Sequence, residues 1–456
     1  MEISEIVDLA IKILSKYSLC DYCLGRQFAS LGTGINNLEK GRALKTIIFM
    51  WGQSILRESP ERGLNIIKTL SSCGFRPAMK FLEDSGYEKT QQKQCYICGG
   101  ALDTSRFREI TKKILEELNE YEFQNFLVGA RIPSSIREKE DAIRSEYMIT
   151  TGEDIKEDIT REIGRLIQRE VKREIEYKTP DIVVIVDIYS DTYELQINPV
   201  FIKGRYRKLR RDLPQTPWFC RSCWGRGCSK CDYTGREYPE SVSELIGGTA
   251  VEFFEAIDYK FHGVGREDVD ATVLGSGRPF ILELKNPRKR IVDLKKLEEK
   301  INNEALNKVE VSNLEYSTRR ELRLLKSSSP VSPKIYEAIV EFDGDVEDDS
   351  LKIVEEELKD RIIDQWTPMR VLKRRADKLR KKKVYYVEAE KITSKIVRFK
   401  IKAQGGLYVK ELIDGDNGRT NPSIMDIVKR KPLSIQLTVL DVEVLGEHEK
   451  DKDTST

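Results

Sequence analysis

Cysteine spacing constrains the fold of this chain more than any other feature of its sequence. Eight of its nine cysteines form four Cys-x-x-Cys pairs: Cys20/Cys23, Cys95/Cys98, Cys220/Cys223 and Cys228/Cys231. A Cys-x-x-Cys turn directs two thiolates at one point, and two such turns complete a tetrahedral zinc site. We therefore predict two structural zinc ions, each bound by four cysteines.

Four pairs can be matched in three ways. The most economical match joins the two N-terminal pairs to each other and the two central pairs to each other. Only four residues separate Cys223 from Cys228, but Gly225 and Gly227 supply the backbone freedom that so short a link needs. The odd cysteine count and the lack of a secretory signal argue against a disulfide framework. A redox dithiol is the minor alternative, because no thioredoxin-like βαβ pattern surrounds any pair.

Length and composition indicate a soluble protein of two or three domains. The chain has 456 residues, of which 39% are hydrophobic and 34% charged, so it is too apolar to be disordered and can form several cores. The N-terminus is acidic rather than signal-like, and no apolar run is long enough to cross a bilayer. We expect a cytoplasmic monomer with no membrane or protein partner. The net charge of +2 alone does not indicate a nucleic-acid ligand.

The N-terminal half has the pattern of an α/β domain. Apolar residues recur at helical spacing over residues 1–20 and again over residues 154–174. Apolar runs at residues 181–189 and 193–197 predict two paired strands. A long helix before such a strand pair resembles the end of a THUMP domain, an RNA-binding module of RNA-modifying enzymes. We expect this half to be a zinc-braced accessory domain that binds RNA.

A Gly-Arg-x-Asp motif marks the second half of the chain. Residues 265–268 read Gly-Arg-Glu-Asp and lie between two apolar segments, residues 253–261 and 279–284, which places the motif on a turn or strand end. Together with the wording from His262 to Phe280, the motif resembles the catalytic signature of the family-ten tRNA pseudouridine synthases. Members of that family act on the TΨC arm of tRNA in archaea. The resemblance implies that the chain converts uridine to pseudouridine at position 54, position 55 or both.

Three further matches complete the site that the resemblance implies. It assigns catalytic roles to Asp268, Tyr336 and Lys410, and substrate contacts to Arg266, Val409 and Leu437. Asp268 carries the chemistry, and Lys410 or Arg266 supplies the cation that keeps a carboxylate ionised in an apolar pocket. Tyr336, placed just before a strand that starts at Ala338, stacks on the flipped base, and Val409 and Leu437 line the pocket. The reaction requires no catalytic cofactor.

Two basic segments flank the motif and predict contact with a phosphate backbone. Residues 203–211 contain six Lys or Arg and no acid, and residues 370–383 contain nine Lys or Arg and one acid. Such charge density attracts RNA by releasing its counterions. The first segment resembles the mobile loop by which family-ten synthases grip the tRNA arm, which implies RNA contacts for Arg205, Arg207 and Arg210. A solvated helix face is the alternative for an isolated charge run.

These observations together predict an α+β protein. Residues 1–198 form the zinc-braced, THUMP-like α/β accessory domain. Residues 199–446 form the synthase domain, a mixed, mainly antiparallel sheet with flanking helices and a four-cysteine zinc loop at 218–235, and residues 447–456 form a disordered tail. The alternative is a non-catalytic zinc-dependent RNA-binding or chaperone-like module, because the cysteine and glycine spacing after Cys220 resembles the zinc repeats of the J-domain chaperones.

Overall fold

Two separate sheets organise the chain, one in each of two units, Met1–Asn198 and Pro199–Thr456. The computed structural model describes residues 2–328, 330–373 and 375–443. The tail predicted to be disordered, residues 447–456, lies outside the described residues. Within the described ranges, no helix is long and apolar enough to cross a membrane.

The N-terminal unit packs eight helices on a small mixed sheet. The helices are α1 (Ile3–Lys16), α2 (Asp21–Arg26), α3 (Asn37–Ile55), α4 (Pro60–Ser72), α5 (Arg76–Asp84), α6 (Thr104–Leu118), α7 (Ser134–Glu146) and α8 (Ile155–Val171). The strands are β1 (Asn125–Ala130), β2 (Glu174–Ile175), β3 (Ile182–Asp187) and β4 (Thr192–Ile197). Their order is β2-β1-β3-β4, in which β1 runs parallel to both of its neighbours and β3 pairs antiparallel with β4.

Local sequence explains these elements. Asp154 caps α8 by accepting a hydrogen bond from the backbone N–H of Lys156 at 2.7 Å, which satisfies one of the free donors of the first turn. Four isoleucines at intervals of four residues, from Ile155 to Ile167, are buried along one face of α8. Alternate residues of β3 are buried, as a strand with one core face requires. The predicted helix and strand pair are therefore confirmed.

Arg26 connects three helices through buried charges. Its guanidinium is completely buried and donates from Nε to Glu140 at 2.7 Å on α7 and from Nη1 to Asp158 at 3.4 Å on α8. It also donates to the Sγ of Cys23 at 3.4 Å. Because isolated buried charges are costly, these contacts fix how α2 and its cysteine turn sit on α7 and α8.

The C-terminal unit is built on one large sheet with flanking helices. Its strands are β5 (Val200–Lys208), β6 (Asp258–Gly263), β7 (Thr272–Lys285), β8 (Val309–Ser317), β9 (Lys334–Phe342), β10 (Ile362–Gln365), β11 (Arg380–Lys391), β12 (Ile396–Ala403), β13 (Thr420–Asn421) and β14 (Pro432–Val442). Its helices are α9 (Val242–Phe254), α10 (Leu294–Glu304), α11 (Arg319–Ser328), α12 (Asp348–Leu358), α13 (Val409–Asp414) and α14 (Ile424–Val428).

Strand order in this sheet is β13-β10-β11-β12-β9-β14-β7-β5-β8, with β6 paired on β7. Strands β14 and β7 run parallel, and the other described pairings in this unit are antiparallel. The predicted α+β class, with a mixed, mainly antiparallel sheet, is confirmed. In the second basic segment, residue 374 lies outside the described residues.

The first basic segment is a strand, and its prediction as a mobile loop is wrong. Residues up to Lys208 belong to β5, which pairs with β7 on one side and β8 on the other. The cations at 203, 205 and 207 alternate with the buried residues Ile202, Gly204, Tyr206 and Lys208. Such alternation is the pattern of a strand with one core face. Of the six cations in the segment, only Arg210 and Arg211 lie beyond the end of β5.

Two of the arginines that were predicted to contact RNA, Arg205 and Arg207, have partners on the sheet. Arg205 donates to the carbonyl oxygens of Ser276 at 2.8 Å and Val442 at 2.9 Å, so it ties β5 to neighbouring backbone. Arg207 pairs with Glu310 on β8. This geometry argues against the predicted RNA contact of Arg205, because its donors already have backbone acceptors.

Candidate active site

The Gly-Arg-Glu-Asp motif lies on the loop that joins β6 to β7. Gly265 has φ +77°, in the left-handed region that favours glycine. A side chain at this position would collide with the ammonium of Lys334. The close approach lets the loop fold tightly over the start of β9.

Glu267 connects the loop to buried residues of β5 and β7. The side chains of Glu267 and Arg278 are each only 1% exposed, and Glu267 Oε2 lies 2.9 Å from Arg278 Nε. The Nε–H is not aligned for a hydrogen bond, so this contact is an attraction between charges. Tyr206 donates its hydroxyl proton to the same carboxylate at 2.9 Å. The side chain of Glu267 is thus buried, whereas that of its neighbour Asp268 is 32% exposed.

Lys208 holds the backbone of the same loop. Its Nζ is buried and donates to the carbonyl oxygens of Leu213 at 2.8 Å, Asp268 at 3.1 Å and Val269 at 3.0 Å. Burial lowers the pKa of Lys208 to about 8. A residue predicted to contact RNA is thus a support for the loop that carries Asp268.

Two cations surround the carboxylate of Asp268, which is 32% exposed. Arg370 donates from Nη1 to Asp268 Oδ1 at 2.9 Å. Lys410 Nζ lies 3.8 Å from Asp268 Oδ2, within ion-pair distance, but its hydrogen bond goes to Asp270 Oδ2 at 2.6 Å. Although burial opposes it, this bond lowers the pKa of Asp270. Arg370 is therefore the cation that hydrogen-bonds Asp268. The side chain of Arg266 is exposed.

Arg370 was not identified from the sequence as part of the site. It follows β10 and also donates from Nε to Glu411 Oε1 at 2.6 Å. Glu411 lies on α13 beside Lys410, and burial raises its pKa. Arg370 therefore bridges a buried carboxylate and an accessible one. Residues 365–372 resemble a phrase of the family, but that resemblance gave Arg370 no role, and its position at the start of a basic segment favoured RNA binding instead.

The predicted base-binding residues lie in one apolar core. Tyr336 lies within β9, which begins at Lys334, and not before the strand as expected from the sequence. Leu437 on β14 pairs with Ala338, and Tyr336 is on the same face two residues away. Val409 is the first residue of α13 and is also buried. Burial raises the pKa of Tyr336 to about 12.

Lys334 is a buried cation on the same face of β9 as Tyr336. It is 5% exposed. Burial, together with the positive charge of Arg278, lowers the pKa of Lys334 to about 7, although Glu267 acts in the opposite direction. The loop that carries Asp268 therefore folds over a lysine that loses its proton, and with it its charge, near neutral pH.

The cysteines form two groups of four, in the most economical of the three matches. Cys20, Cys23, Cys95 and Cys98 form one group, and Cys220, Cys223, Cys228 and Cys231 form the other. Within each group all Sγ atoms lie within 4.8 Å of one another. Measured Sγ–Sγ distances run from 3.7 to 3.9 Å. A tetrahedron with metal–sulfur bonds of about 2.3 Å has edges of about 3.8 Å, so both groups could hold a metal ion.

Backbone donors support the central group. The N–H groups of Gly227 and Gly235 point to the Sγ atoms of Cys223 at 3.2 Å and Cys231 at 3.3 Å. Such donors stabilise negative charge on sulfur. The donor set therefore suits a cation bound by thiolates.

The sheet is mainly antiparallel, carries an aspartate on a Gly-Arg-x-Asp loop before β7, and holds a buried tyrosine on β9, two strands away. This is the arrangement expected of a pseudouridine synthase. Residues 201–445 match the family model described as Pus10, C-terminal, and residues 110–187 match Pus10 THUMP domain, archaeal. The chain belongs to the Pus10 family of tRNA pseudouridine synthases. This membership favours the enzyme over the chaperone-like alternative.

Curated relatives resemble the chain over most of its length. It is 41% identical to the tRNA pseudouridine synthase Pus10 of Thermofilum pendens, over 94% of each chain. It is 42% identical to the protein of that name from Methanocaldococcus jannaschii, over 94% of this chain and 93% of the relative. Among solved structures, a Cbf5-Nop10-Gar1 complex matches 44% of this chain and 45% of the matched one, at 18% identity and a TM-score of 0.27. That score is too low to bear on function.

We expect Lys334→Met to be more stable than the unaltered chain near pH 6 and to lose this advantage towards pH 10. The unfolded chain holds the lysine proton up to its ordinary pKa of 10.5, whereas the folded chain releases it near 7. The free energy of unfolding of the unaltered chain therefore rises with pH between these values, and that of the methionine variant lacks this contribution. Denaturant unfolding at several pH values, with exposed Lys12→Met as control, measures the difference. If the difference in free energy of unfolding between Lys334→Met and the unaltered chain stayed constant from pH 6 to 10, the lowered pKa of Lys334 would be wrong.

Proposed function

We propose that the chain converts uridine to pseudouridine in the TΨC arm of tRNA, at position 54, position 55 or both, with Asp268 as the catalytic carboxylate. The observation that carries this proposal is the placement of Asp268. Its carboxylate is accessible and accepts a hydrogen bond from Arg370, and its loop approaches Lys334, two residues before the buried Tyr336 on β9. Family membership supports the reaction class, and the site supplies the residues.

The reaction explains why the site has this composition. The bond between C1′ of the ribose and N1 of uracil breaks, and a bond from C1′ to C5 forms. C5 loses a proton and N1 gains one, so the isomerisation is balanced without a redox partner. The base must leave its stack to be reached. Asp268 acts on the reacting nucleotide, while Arg370 offsets the negative charge of its carboxylate and fixes its direction.

The apolar pocket holds the flipped base. Tyr336 stacks on one face of the uracil, a contact worth on the order of 1–3 kcal/mol. Val409 and Leu437 complete the walls, because both are buried in the same core as Tyr336. The high pKa of the Tyr336 hydroxyl keeps it neutral, so it can serve as a stacking surface and hydrogen-bond donor at neutral pH.

Cations around the site contact the RNA backbone in this proposal. Arg210 lies beyond the end of β5 and is exposed, and Arg266 is exposed beside Asp268. Arg207 remains 41% exposed although it pairs with Glu310. These contacts position the substrate, because phosphate contacts carry no base identity.

Zinc is the metal that we propose for both cysteine groups. Four thiolates in a tetrahedral arrangement are the donor set of structural zinc. The ion would cross-link α2 to the turn at Cys95 in one unit, and the two central turns to each other in the other unit. It supplies no step of the reaction, which the residues around Asp268 carry out.

Asp268→Asn should abolish pseudouridine formation and leave tRNA binding nearly unchanged, because the amide keeps the shape of the side chain but not its charge. Asp270→Asn is the matched control and should remain active. Its amide oxygen still accepts from Lys410, and its position matches no catalytic residue. Mapping pseudouridine on an unmodified tRNA transcript, with binding measured in parallel, tests both. Product from the Asp268 variant would show that another group carries the chemistry.

Arg370→Met should lower the single-turnover rate about ten- to a hundredfold, since it removes a charge-assisted hydrogen bond from Asp268 and leaves Glu411 buried without its partner. Lys410→Met should cost less, because the hydrogen bond of Lys410 goes to Asp270. Arg370→Lys is the control that keeps the charge but not the fork between two carboxylates. Single-turnover rates at saturating tRNA order the three variants. A larger loss for Lys410→Met than for Arg370→Met would mean that Lys410 is the main partner of Asp268 in the loaded site.

Elemental analysis of the purified chain should give about two zinc equivalents. Cys20→Ala should lower this to about one and destabilise the N-terminal unit, because metal binding contributes directly to folding. Cys73→Ala is the matched control: this buried cysteine lies outside both groups, so the variant should retain both ions. One equivalent in the unaltered chain would mean that only one of the two groups binds zinc.

A further inference from the structure

Exposed aromatic side chains are concentrated on the central cysteine loop, residues 218–235. Phe219 is 63% exposed, Trp224 82% and Tyr233 78%. Of the other aromatic side chains in the described residues, only Tyr177 reaches a similar exposure. Exposure of large aromatic rings to water is unfavourable. Three exposed rings on one small loop therefore indicate a ligand that covers them.

Two of these rings, Trp224 and Tyr233, also stand at unusual backbone positions. Trp224 has φ +53° and Tyr233 has φ +60°, both in the left-handed region. Bulky side chains rarely adopt this conformation, and glycine would adopt it at lower cost. The loop already uses glycine at Gly227 and Gly235, where a side chain would collide with neighbouring backbone. At 224 and 233 the chain instead keeps aromatic rings that face solvent.

Two cations of the loop are available to a ligand. Arg221 pairs with Glu237 at 2.7 Å and Arg236 pairs with Glu244. In the part of the chain that the structure describes, Arg226 makes only a hydrogen bond to the carbonyl of Cys223, and Lys230 has no acidic partner. Exposed Asp232 offsets part of their charge, so aromatic surface and not charge is the main feature.

We propose that the central cysteine loop binds unpaired bases of the RNA substrate. Trp224 and Tyr233 stack on bases, and Arg226 and Lys230 contact the adjoining phosphates. Aromatic rings interleaved with cations are the surface that single-stranded nucleic acid requires, because every base has a face to stack. The proposal rests on the proposed function for the identity of the ligand as RNA, and it assigns to the metal group the task of holding the two turns that present the rings.

Glycine substitutions separate this role from a structural one. Trp224→Gly combined with Tyr233→Gly removes both rings and suits the positive φ at each position, so the loop should keep its metal. Affinity for an unmodified tRNA transcript and for a hairpin with an unpaired loop should fall on the order of tenfold for each ring removed. Affinity for a blunt duplex of equal length should not change. Trp224→Phe keeps a stacking face and should retain most of the binding, and Tyr87→Ala controls for removal of an exposed ring elsewhere.

Salt dependence distinguishes stacking from charge. The glycine variant should keep the slope of affinity against salt, whereas Arg226→Gln with Lys230→Gln should reduce it by roughly 0.7 for each phosphate that is no longer neutralised. Ultraviolet crosslinking of the unaltered chain to the transcript, followed by peptide mapping, should recover residues within 219–233. Unchanged affinity in a metal-loaded glycine variant, or crosslinks that avoid this segment, would overturn the proposal.

Pseudouridine mapping on the same variants keeps the two proposals apart. If the unaltered chain binds RNA through the rings but forms no pseudouridine, the proposed function fails and the binding role stands. If it forms pseudouridine and the glycine variant keeps both its KM and its affinity, the loop has no RNA-binding role and the catalytic proposal stands. The expected result is a raised KM with an unchanged kcat, because the loop carries no residue of the reaction.

Discussion

The buried pair of Glu267 and Arg278 is the contact on which the C-terminal unit depends. Removing both charges from water costs several kcal/mol for each ion, and their mutual attraction offsets such a cost only together with additional hydrogen bonds. Tyr206 supplies one to Glu267, and the carbonyl of Val264 accepts one from Arg278 at 2.6 Å. These partners are satisfied in one loop conformation, which turns the next residue, Asp268, towards solvent. The pair therefore joins the loop that carries Asp268 to β7.

Features encoded by local spacing could be predicted from the sequence. The most economical match of the cysteine turns agrees with the structure, α8 followed from its isoleucines, and the position of Asp268 on a turn followed from the apolar segments on either side. Arg370 could not be found in this way, because its role depends on a contact with a residue about a hundred positions earlier in the chain. In isolation it is the first member of a charge run, and a charge run favours phosphate binding.

Strand β5 was predicted as a loop because of its many cations. Its partly exposed cations, at 203, 205 and 207, occupy every second position. The number of cations suggests a solvated loop, whereas this spacing is that of a strand. The burial of Lys208 and Lys334 could not be predicted either. Lysine is rarely buried, and nothing in their local sequence marks them as interior. Both lie under the loop that carries Asp268, where the surrounding fold and not the neighbouring sequence determines their charge.

Strand β14, the last strand described, lies in the middle of its sheet and joins β9 to β7. In the described strand order it connects the part that carries Tyr336 to the part that follows the Asp268 loop. During synthesis this strand leaves the ribosome after the other described strands, so the two parts of the site meet only after β14 has been made. A nascent chain that lacks β14 therefore holds Asp268 and Tyr336 on parts of the sheet that are not yet joined. The position of β14 thus delays assembly of the site until this strand has been made.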